Sequence, residues 1–351
     1  MLACSNSILV AIAASVACAQ PAVTTSDASA PTPAKSASSA PIQASLLREE
    51  AISTLESLAN DSNPEIRANV VEAAGGLSSA GNSGGGRLRP IIERGLTDPS
   101  AAVQTVALMV VGRNKIKELA PLARTSVSSD NMYVKSAAIF ALSAAGVEVD
   151  QTPLANILLN GEKPQIRAHA AFILGEIRNP SALGLLRQAA REKLIMASES
   201  QVKSYQLQIA EALVKLGDQS QIDTVRAALY SGPDDLEAVA LAAQILGTLG
   251  DTGARNNLIN LSVYKDRAGT PLPADVRLAV AAALAKLGEP DAAMIATEFV
   301  THAEPAIRKQ AAYVMGLGGK NALAVHLSTL LKDQDAGVRV AAADAILKFK
   351  R

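Results

Sequence analysis

The chain has 351 residues, of which 49% are hydrophobic but only 3% are aromatic, and it has no tryptophan. A core built from Ala, Leu, Val and Ile favours closely packed helices over a sandwich of bulky strands. Lys and Arg together number 33 and are balanced by 33 Asp and Glu, so the formal net charge is zero. A nucleic-acid-binding protein needs a basic surface, and the total charge does not provide one. We therefore expect no nucleic-acid partner.

The first 19 residues carry no charged side chain, and they predict an export signal. The apolar run Ile8–Val16 is too short to span a bilayer as a helix. It is followed by Ala17-Cys18-Ala19, which fits the small-x-small pattern of a secretory cleavage site, although the usual basic residues near the start are missing. We expect an exported protein, either periplasmic or secreted, with residues 1–19 as its signal peptide.

The only two cysteines, Cys4 and Cys18, both lie in this segment. Cleavage after Ala19 would leave a mature chain without thiols. Cleavage before Cys18 would instead make Cys18 the lipid-bearing first residue of a bacterial lipoprotein, although Ser15 stands where that motif usually has Leu. Both alternatives remain open from the sequence. If the protein attaches to a membrane, we expect it to do so only through a lipid on Cys18.

Residues 20–44 consist largely of Ala, Ser, Thr and Pro. Such a composition has little to bury and predicts a disordered tether. As a flexible coil, this segment would reach on the order of 30 Å.

From residue 45 to residue 351 the chain repeats one alanine-rich phrase. The phrase has a branched residue at position 0, a basic residue at position 1, alanines at positions 4 and 5, and glycines at positions 9 and 12. Self-similarity with a period of this order is typical of solenoid proteins. Position 0 recurs every 31 to 39 residues, at Ile66, Val103, Val134, Ile166, Tyr205, Ala238, Val276, Ile307 and Val338.

Each phrase has the pattern of an amphipathic helix, because positions 0, 4, 7, 8 and 11 share one face. Prolines such as Pro64 and Pro164 lie two residues before position 0, where a helix start favours proline. A second apolar segment, such as Asn321–Asp333, lies between successive phrases. The sequence therefore predicts an all-α fold, an α-solenoid of about nine two-helix repeats forming a rod or arc on the order of 80 Å long.

The phrases resemble the HEAT repeat family, and in particular the bacterial HEAT-like repeats also found in phycobilin lyase subunits. The resemblance covers about residues 45–350 and is carried by phrases such as ADVRLAVAAALAKLGEP, which begins at Ala274. It implies a scaffold that can serve many functions. We expect a non-catalytic scaffold that binds a protein partner on its concave face. The alternatives are a structural spacer in the cell envelope and a phycobilin-lyase-like enzyme subunit.

An arginine recurs at position 1, and two roles are open to it. The arginines could form an anion-binding ladder, or each could pair with the acids and carbonyl groups of neighbouring turns. The resemblance to HEAT repeats favours the second, structural role. The arginines are Arg67, Arg167, Arg277, Arg308 and Arg339.

The residues needed for catalysis or metal binding are sparse. His169, His302 and His326 fall in different units, and none is followed by Glu. The deoxyhypusine hydroxylases resemble this array but bind iron through His-Glu pairs. No histidine here has a Cys or His partner at the spacing of metal ligands. We expect no catalytic residue, no metal and no cofactor.

Position 6 points away from the core face of the helix and differs between units. In three successive units it is Met109, Phe140 and Phe172, whereas the first and last units have acidic residues there. Exposed apolar groups of this kind mark interaction sites. We expect these three side chains to form a partner-binding stripe on the concave face, with Arg113 and His169 as its polar rim. The alternative is that local twist or the first helix of a neighbouring unit buries these side chains, in which case the stripe does not exist.

Overall fold

A computed structural model describes residues 40–78, 85–194, 197–232 and 235–349. The predicted signal peptide with Cys18, and residues 20–39 of the predicted tether, lie outside these ranges. Helix α1 (Ala40–Leu58) begins within the predicted tether, so the boundary placed at residue 45 is five residues late. Within the described ranges, no helix is both long enough and apolar enough to cross a bilayer.

The nine repeated phrases form the inner layer of helices. Each predicted position 0 falls inside one of them, which confirms the predicted repeat. The inner helices are α2 (Pro64–Ser78), α4 (Ala101–Arg113), α6 (Met132–Ala144), α8 (Pro164–Ile177), α10 (Glu199–Lys215), α12 (Leu236–Leu249), α14 (Ala274–Lys286), α15 (Pro305–Gly318) and α17 (Ala336–Lys348).

The segments between the phrases form an outer layer of shorter helices. Each packs beside the inner helix that follows it, so one outer and one inner helix make a unit. The outer elements are α1, α3 (Gly85–Gly95), α5 (Ala120–Arg124), α7 (Thr152–Asn160), α9 (Leu183–Arg191), α11 (Ile222–Ala228), α13 (Arg255–Ser262), a 3-10 helix (Pro290–Phe299) and α16 (Ala324–Leu330).

The helix ends follow the proline and glycine pattern of the sequence. Pro64 and Pro164 are the first residues of α2 and α8. Gly250 caps α12 in the left-handed region, with φ of 72°. Only glycine adopts this conformation without a steric cost, which explains why glycine recurs at position 12.

The glycine at position 9 brings successive inner helices together. A Cβ atom on Gly247 would lie 2.7 Å from Cα of Ala283 on the next inner helix. A Cβ atom on Gly316 would lie 2.9 Å from Cα of Ala345. Glycine facing alanine therefore allows α12 to approach α14, and α15 to approach α17, more closely than larger residues would permit.

The array closes on itself. Helix α17 packs against α15 on one side and against α1 and α2 on the other. One continuous hydrophobic cluster contains Leu55 and Val70 of the first unit together with Val340 and Leu347 of the last. We call the contact of α17 with α1 and α2 the seam. The predicted rod or arc is therefore wrong, because the last inner helix packs against the helices of the first unit.

Polar contacts also cross the seam. Arg48 Nη1 donates a hydrogen bond to the carbonyl oxygen of Leu347 at 3.1 Å. Lys309 Nζ of the eighth unit lies 3.1 Å from Glu65 Oε1 of the first. The first unit is thus bonded to both of the last two units.

The main hydrophobic cluster runs through the seam but not through every unit. Units six and seven have a separate cluster that includes Val225, Leu241, Leu258 and Leu284. The first and last units therefore share one hydrophobic core. The boundary between the two clusters lies in the middle of the array and not at the seam.

Candidate interaction surfaces

The predicted stripe on the inner face is not exposed. Met109 is fully buried, and Phe140 and Phe172 retain only 4% and 7% of their exposure. Phe140 fills the space beside Gly112 of the preceding inner helix. Lys215 Nζ lies 5.0 Å above the ring of Phe172. The prediction that these three side chains form a binding stripe is therefore wrong, because neighbouring inner helices cover them.

The two residues predicted as the polar rim of that stripe also make internal contacts. Arg113 Nη1 lies 2.5 Å from Glu72 Oε1 and so joins α4 to α2. His169 retains 2% of its exposure, and its ring centroid lies 5.0 Å from that of Tyr133. Burial lowers the pKa of His169 to about 4, so the imidazole is neutral at pH 7. Neither residue is available as a rim.

A charged cluster on the inner face joins α8 to α10. Lys215 Nζ lies 2.6 Å from both Glu176 Oε1 and Glu211 Oε1, and the Lys215 side chain is 6% exposed. Burial alone would lower the pKa of Lys215, but Glu211 and Glu176 together raise it above its ordinary value. The lysine therefore stays charged and holds the two helices together. Glu176 and Lys215 both stand at position 10 of their phrases, and charged residues at this position could have predicted the cluster from the sequence.

A second group on the inner face spans the last three units. The ring of Tyr313 lies between Lys286 Nζ, 6.0 Å away, and Lys348 Nζ, 5.9 Å away. Lys348 Nζ also lies 2.6 Å from Asp344 Oδ2. Burial raises the pKa of Asp344. The polar side chains of the inner face thus contact one another across neighbouring helices.

Four of the five arginines at position 1 connect their unit to the next. Arg308 donates from Nε and Nη2 to the carboxylate of Asp333 at 2.7 and 2.8 Å, and from Nη1 to the carbonyl oxygens of His302 and Ala303. Arg339, in the last unit, makes the same kind of carbonyl contacts, with Asp333 and Gln334. Arg67, Arg167 and Arg277 pair with the acids Asp98, Glu192 and Glu298. These are the contacts expected of a structural role.

A second set of ion pairs, which sequence reasoning missed, lies in the outer layer. Arg187 of α9 pairs with Asp218 at 2.8 Å, and Arg226 of α11 pairs with Asp251 at 2.6 Å. Each aspartate directly follows the glycine at position 12. A Gly-Asp pair ends the fifth and sixth phrases, and this pair could have predicted the two contacts.

The large hydrophobic side chains that remain exposed lie almost entirely on the outer layer. Met132, at the start of inner helix α6, is the exception among those described. The others are Leu46, Leu122, Tyr230, Ile259, Val263, Tyr264, Met294 and Val325. Four of them, Tyr230, Ile259, Val263 and Tyr264, belong to units six and seven or to the turns that follow α11 and α13. We call these four residues the outer patch.

Among the described residues, no three His, Cys, Asp or Glu side chains are grouped as metal ligands would be.

The helix pairs, the repeated phrase and the arginines at position 1 define an α-solenoid built from two-helix repeats. Residues 151–242 and 269–347 match the family model for HEAT repeats. The chain belongs to the HEAT repeat family. A comparison with curated proteins gave no match.

Two solved structures are among those to which the chain is similar. Human deoxyhypusine hydroxylase in complex with glycerol is 16% identical, with a TM-score of 0.37, over 88% of this chain and 99% of that chain. The complex of CpcE and CpcF of phycocyanin lyase from Nostoc sp. is 17% identical, with a TM-score of 0.42, over 85% of this chain and 98% of that chain.

Proposed function

We propose that this protein is a non-catalytic scaffold of the bacterial cell envelope or exterior, and that it binds a protein partner through its outer layer. Membership of the HEAT repeat family supports the scaffold role. The observation that carries the choice of surface is the position of the exposed hydrophobic side chains. All but one of those described lie on outer helices or in the turns that follow them.

The inner face is the less suitable surface for a partner. Phe140 and Phe172 on that face are buried, and its charged side chains Arg113 and Lys215 pair with glutamates of the same face. A partner on that face would have to replace these contacts, with the desolvation cost that breaking a buried ion pair carries. Outer side chains such as Leu122 and Val325 are already exposed, so a partner gains apolar contact there without breaking internal bonds.

The proposal that the protein is exported to the cell envelope or exterior rests on the predicted signal peptide, residues 1–19. Intact-mass analysis of the protein purified from the cells that express it tests this part. A mass that begins at Gln20 indicates a cleaved, soluble exported protein. A mass that begins at Cys18 with an added lipid indicates a lipoprotein. A mass that includes Met1 would contradict export by a cleaved signal.

The choice of surface can be tested by photo-crosslinking in the native cells. A photoreactive amino acid is placed at Leu122 or Val325, which are exposed on the outer layer, or at Thr248, which is exposed on an inner helix. We expect a protein adduct from the outer positions and none from Thr248. An adduct from Thr248 alone would contradict the outer surface. The absence of adducts from every exposed outer position would favour a structural spacer.

A further inference from the structure

We propose that the seam is sensitive to pH, and that protonation of Asp344 on the last inner helix favours the closed ring over a ring opened at the seam. Opening here means that α17 separates from α1 and α2. The inference concerns the closure of the array and does not depend on the partner described above.

Away from the inner face, opposite charges meet across the seam. Lys309 Nζ lies 3.1 Å from Glu65 Oε1, and Lys332 Nζ lies 4.0 Å from Glu50 Oε1. These two contacts favour closure as long as both partners are charged.

On the inner face, the seam instead brings two acids into one cluster. Glu72 and Gly76 are one helical turn apart on α2 and share a face of that helix. A Cβ atom on Gly76 would lie 3.4 Å from Oδ1 of Asp344 and 3.4 Å from Cε of Lys348, so α2 covers both side chains of α17. Asp344 therefore loses contact with water when the ring closes.

Each acid already has a base on its own side of the seam. Arg113 Nη1 of α4 lies 2.5 Å from Glu72 Oε1, and Lys348 Nζ lies 2.6 Å from Asp344 Oδ2 on the same helix. Neither ion pair has to break when α17 separates from α2. The second carboxylate oxygen of Glu72, Oε2, is buried and has no hydrogen-bond partner among the described residues.

The ionisation of Asp344 is unfavourable in this cluster. Burial raises the pKa of Asp344 above its ordinary value of 3.8, and the negative charge of Glu72 raises it further, while Lys348 acts in the opposite direction. An aspartate in contact with water keeps the ordinary value. The closed ring therefore binds a proton on Asp344 more tightly than the open ring does.

Other titratable groups lie around Asp344 on the helices that pack against α17. Arginine stays charged and tyrosine stays neutral between pH 5 and pH 8, so neither changes its charge in this range. The groups are Tyr313 of α15, which contacts Lys348, Arg48 of α1, which donates to the carbonyl oxygen of Leu347, and His326 of the outer helix α16.

The direction of the pH effect follows from linkage. A group that binds a proton more tightly in one state stabilises that state as the pH falls towards its raised pKa. The stabilisation is lost as the pH rises through that pKa, because Asp344 must then be ionised inside the closed seam. Acidification from neutral pH should therefore close the seam, and a rise in pH should favour opening.

The test is the distance between the first and last units of the full-length chain in solution. Nitroxide labels are attached at Leu46→Cys and Val325→Cys, each 64% exposed on the outer helices α1 and α16, in a chain with Cys4→Ser and Cys18→Ser. Pulsed electron resonance gives the distribution of distances between the labels. We expect one short distance at pH 5, and at pH 7.5 a population of longer distances at least about three times as large as at pH 5.

Two variants assign this response to Asp344. Asp344→Asn should give the short distance at both pH values, because the amide has no charge to bury. Lys348→Met should move the midpoint of the response upwards by about one pH unit, because the positive charge that lowers the pKa of Asp344 is removed.

Two controls lie away from the cluster. Asp223→Asn changes an acid whose side chain is 80% exposed on α11, and His326→Leu removes the histidine of α16. Both should keep the pH response of the unaltered chain. Circular dichroism checks that each variant is folded.

A distance distribution that is the same at pH 5 and pH 7.5 would overturn the proposal, and so would longer distances at pH 5. A response that persists in Asp344→Asn would assign it to another group. If Asp344→Asn does not fold, Lys348→Met decides: a midpoint that stays in place or moves downwards would overturn the proposal.

Discussion

At the scale of single residues, the ionisation of His169 is linked to folding. Its pKa is about 4 in the folded chain, against an ordinary value of 6.5. As the pH falls below 6.5 the unfolded chain binds a proton before the folded chain does, so the folded state loses stability down to about pH 4. The free energy of unfolding should fall by about 2 kcal/mol from this residue between pH 7 and pH 5.

Urea unfolding at pH 7 and pH 5 measures this effect. His169→Leu should remove most of it, because the buried site then holds no titratable group. His326→Leu, on the outer helix α16, is the control that keeps His169 in place. If His169→Leu shows the same loss of stability on acidification as the unaltered chain, another group is responsible.

The arginines at position 1 provide a matched comparison. Arg308 and Arg339 make equivalent contacts with backbone carbonyl groups, but only Arg308 also donates hydrogen bonds to a carboxylate, that of Asp333. Arg308→Ala should therefore lower the free energy of unfolding by about 2 kcal/mol more than Arg339→Ala, since hydrogen bonds to charged groups contribute about 1.5–3 kcal/mol. Denaturant titration measures the difference. Equal losses would mean that the carboxylate contributes nothing.

At the scale of helices, the glycine at position 9 sets the distance between neighbouring inner helices. Gly247→Ala should lower the free energy of unfolding by about 1–3 kcal/mol, because the new methyl group would overlap Ala283 and α12 and α14 would have to separate. Gly184→Ala, in the outer helix α9, adds the same methyl group where no atom lies within 4 Å. That change should leave stability unchanged or raise it by up to about 1 kcal/mol.

Thermal unfolding of the two alanine variants measures this difference directly. A Gly247→Ala variant that melts at or above the temperature of Gly184→Ala would show that close approach at position 9 is not required.

The sequence predicted the helices well because the relevant signals are local. Proline at a helix start, glycine at position 12 and one apolar face per phrase act within a few residues, and nine inner helices appear where the phrases lie. These local signals, repeated in every unit with some exceptions, were enough to predict the two-layer architecture.

The candidate site was predicted poorly because its burial depends on neighbours. Counting positions on one helix places Phe172 opposite the core face of that helix. Lys215, on the next inner helix, nevertheless covers its ring. The same reasoning placed His169 on a rim, although it packs against Tyr133 of α6. Contacts between units cannot be derived from the helical period of one unit.

At the scale of the whole molecule, the central feature is the closure of the array. Open solenoids need terminal units with a polar outer face, because the last helix otherwise exposes its apolar side. Here Leu347 and Val340 of the last unit pack with Leu55 of the first, so each end covers the other. Closure could not be predicted from the sequence, because it depends on small rotations that accumulate over nine units.

The seam can be tested by cross-linking two introduced cysteines. A Cβ atom on Gly76 of α2 would lie 3.4 Å from Oδ1 of Asp344 on α17, although the two residues are far apart in the chain. Gly76→Cys and Asp344→Cys are introduced into a chain with Cys4→Ser and Cys18→Ser, and the thiols are joined with a short bis-reactive reagent. A control chain carries Gly76→Cys with Gly184→Cys, on the outer helix α9.

Peptide mass analysis of the monomer after this reaction is the most direct measurement of closure. The closed ring predicts a cross-link within one chain between positions 76 and 344, formed in dilute solution, and none between positions 76 and 184. Closure would be contradicted if the monomer kept both thiols of the 76–344 pair uncoupled. It would also be contradicted if cross-links formed only between separate chains.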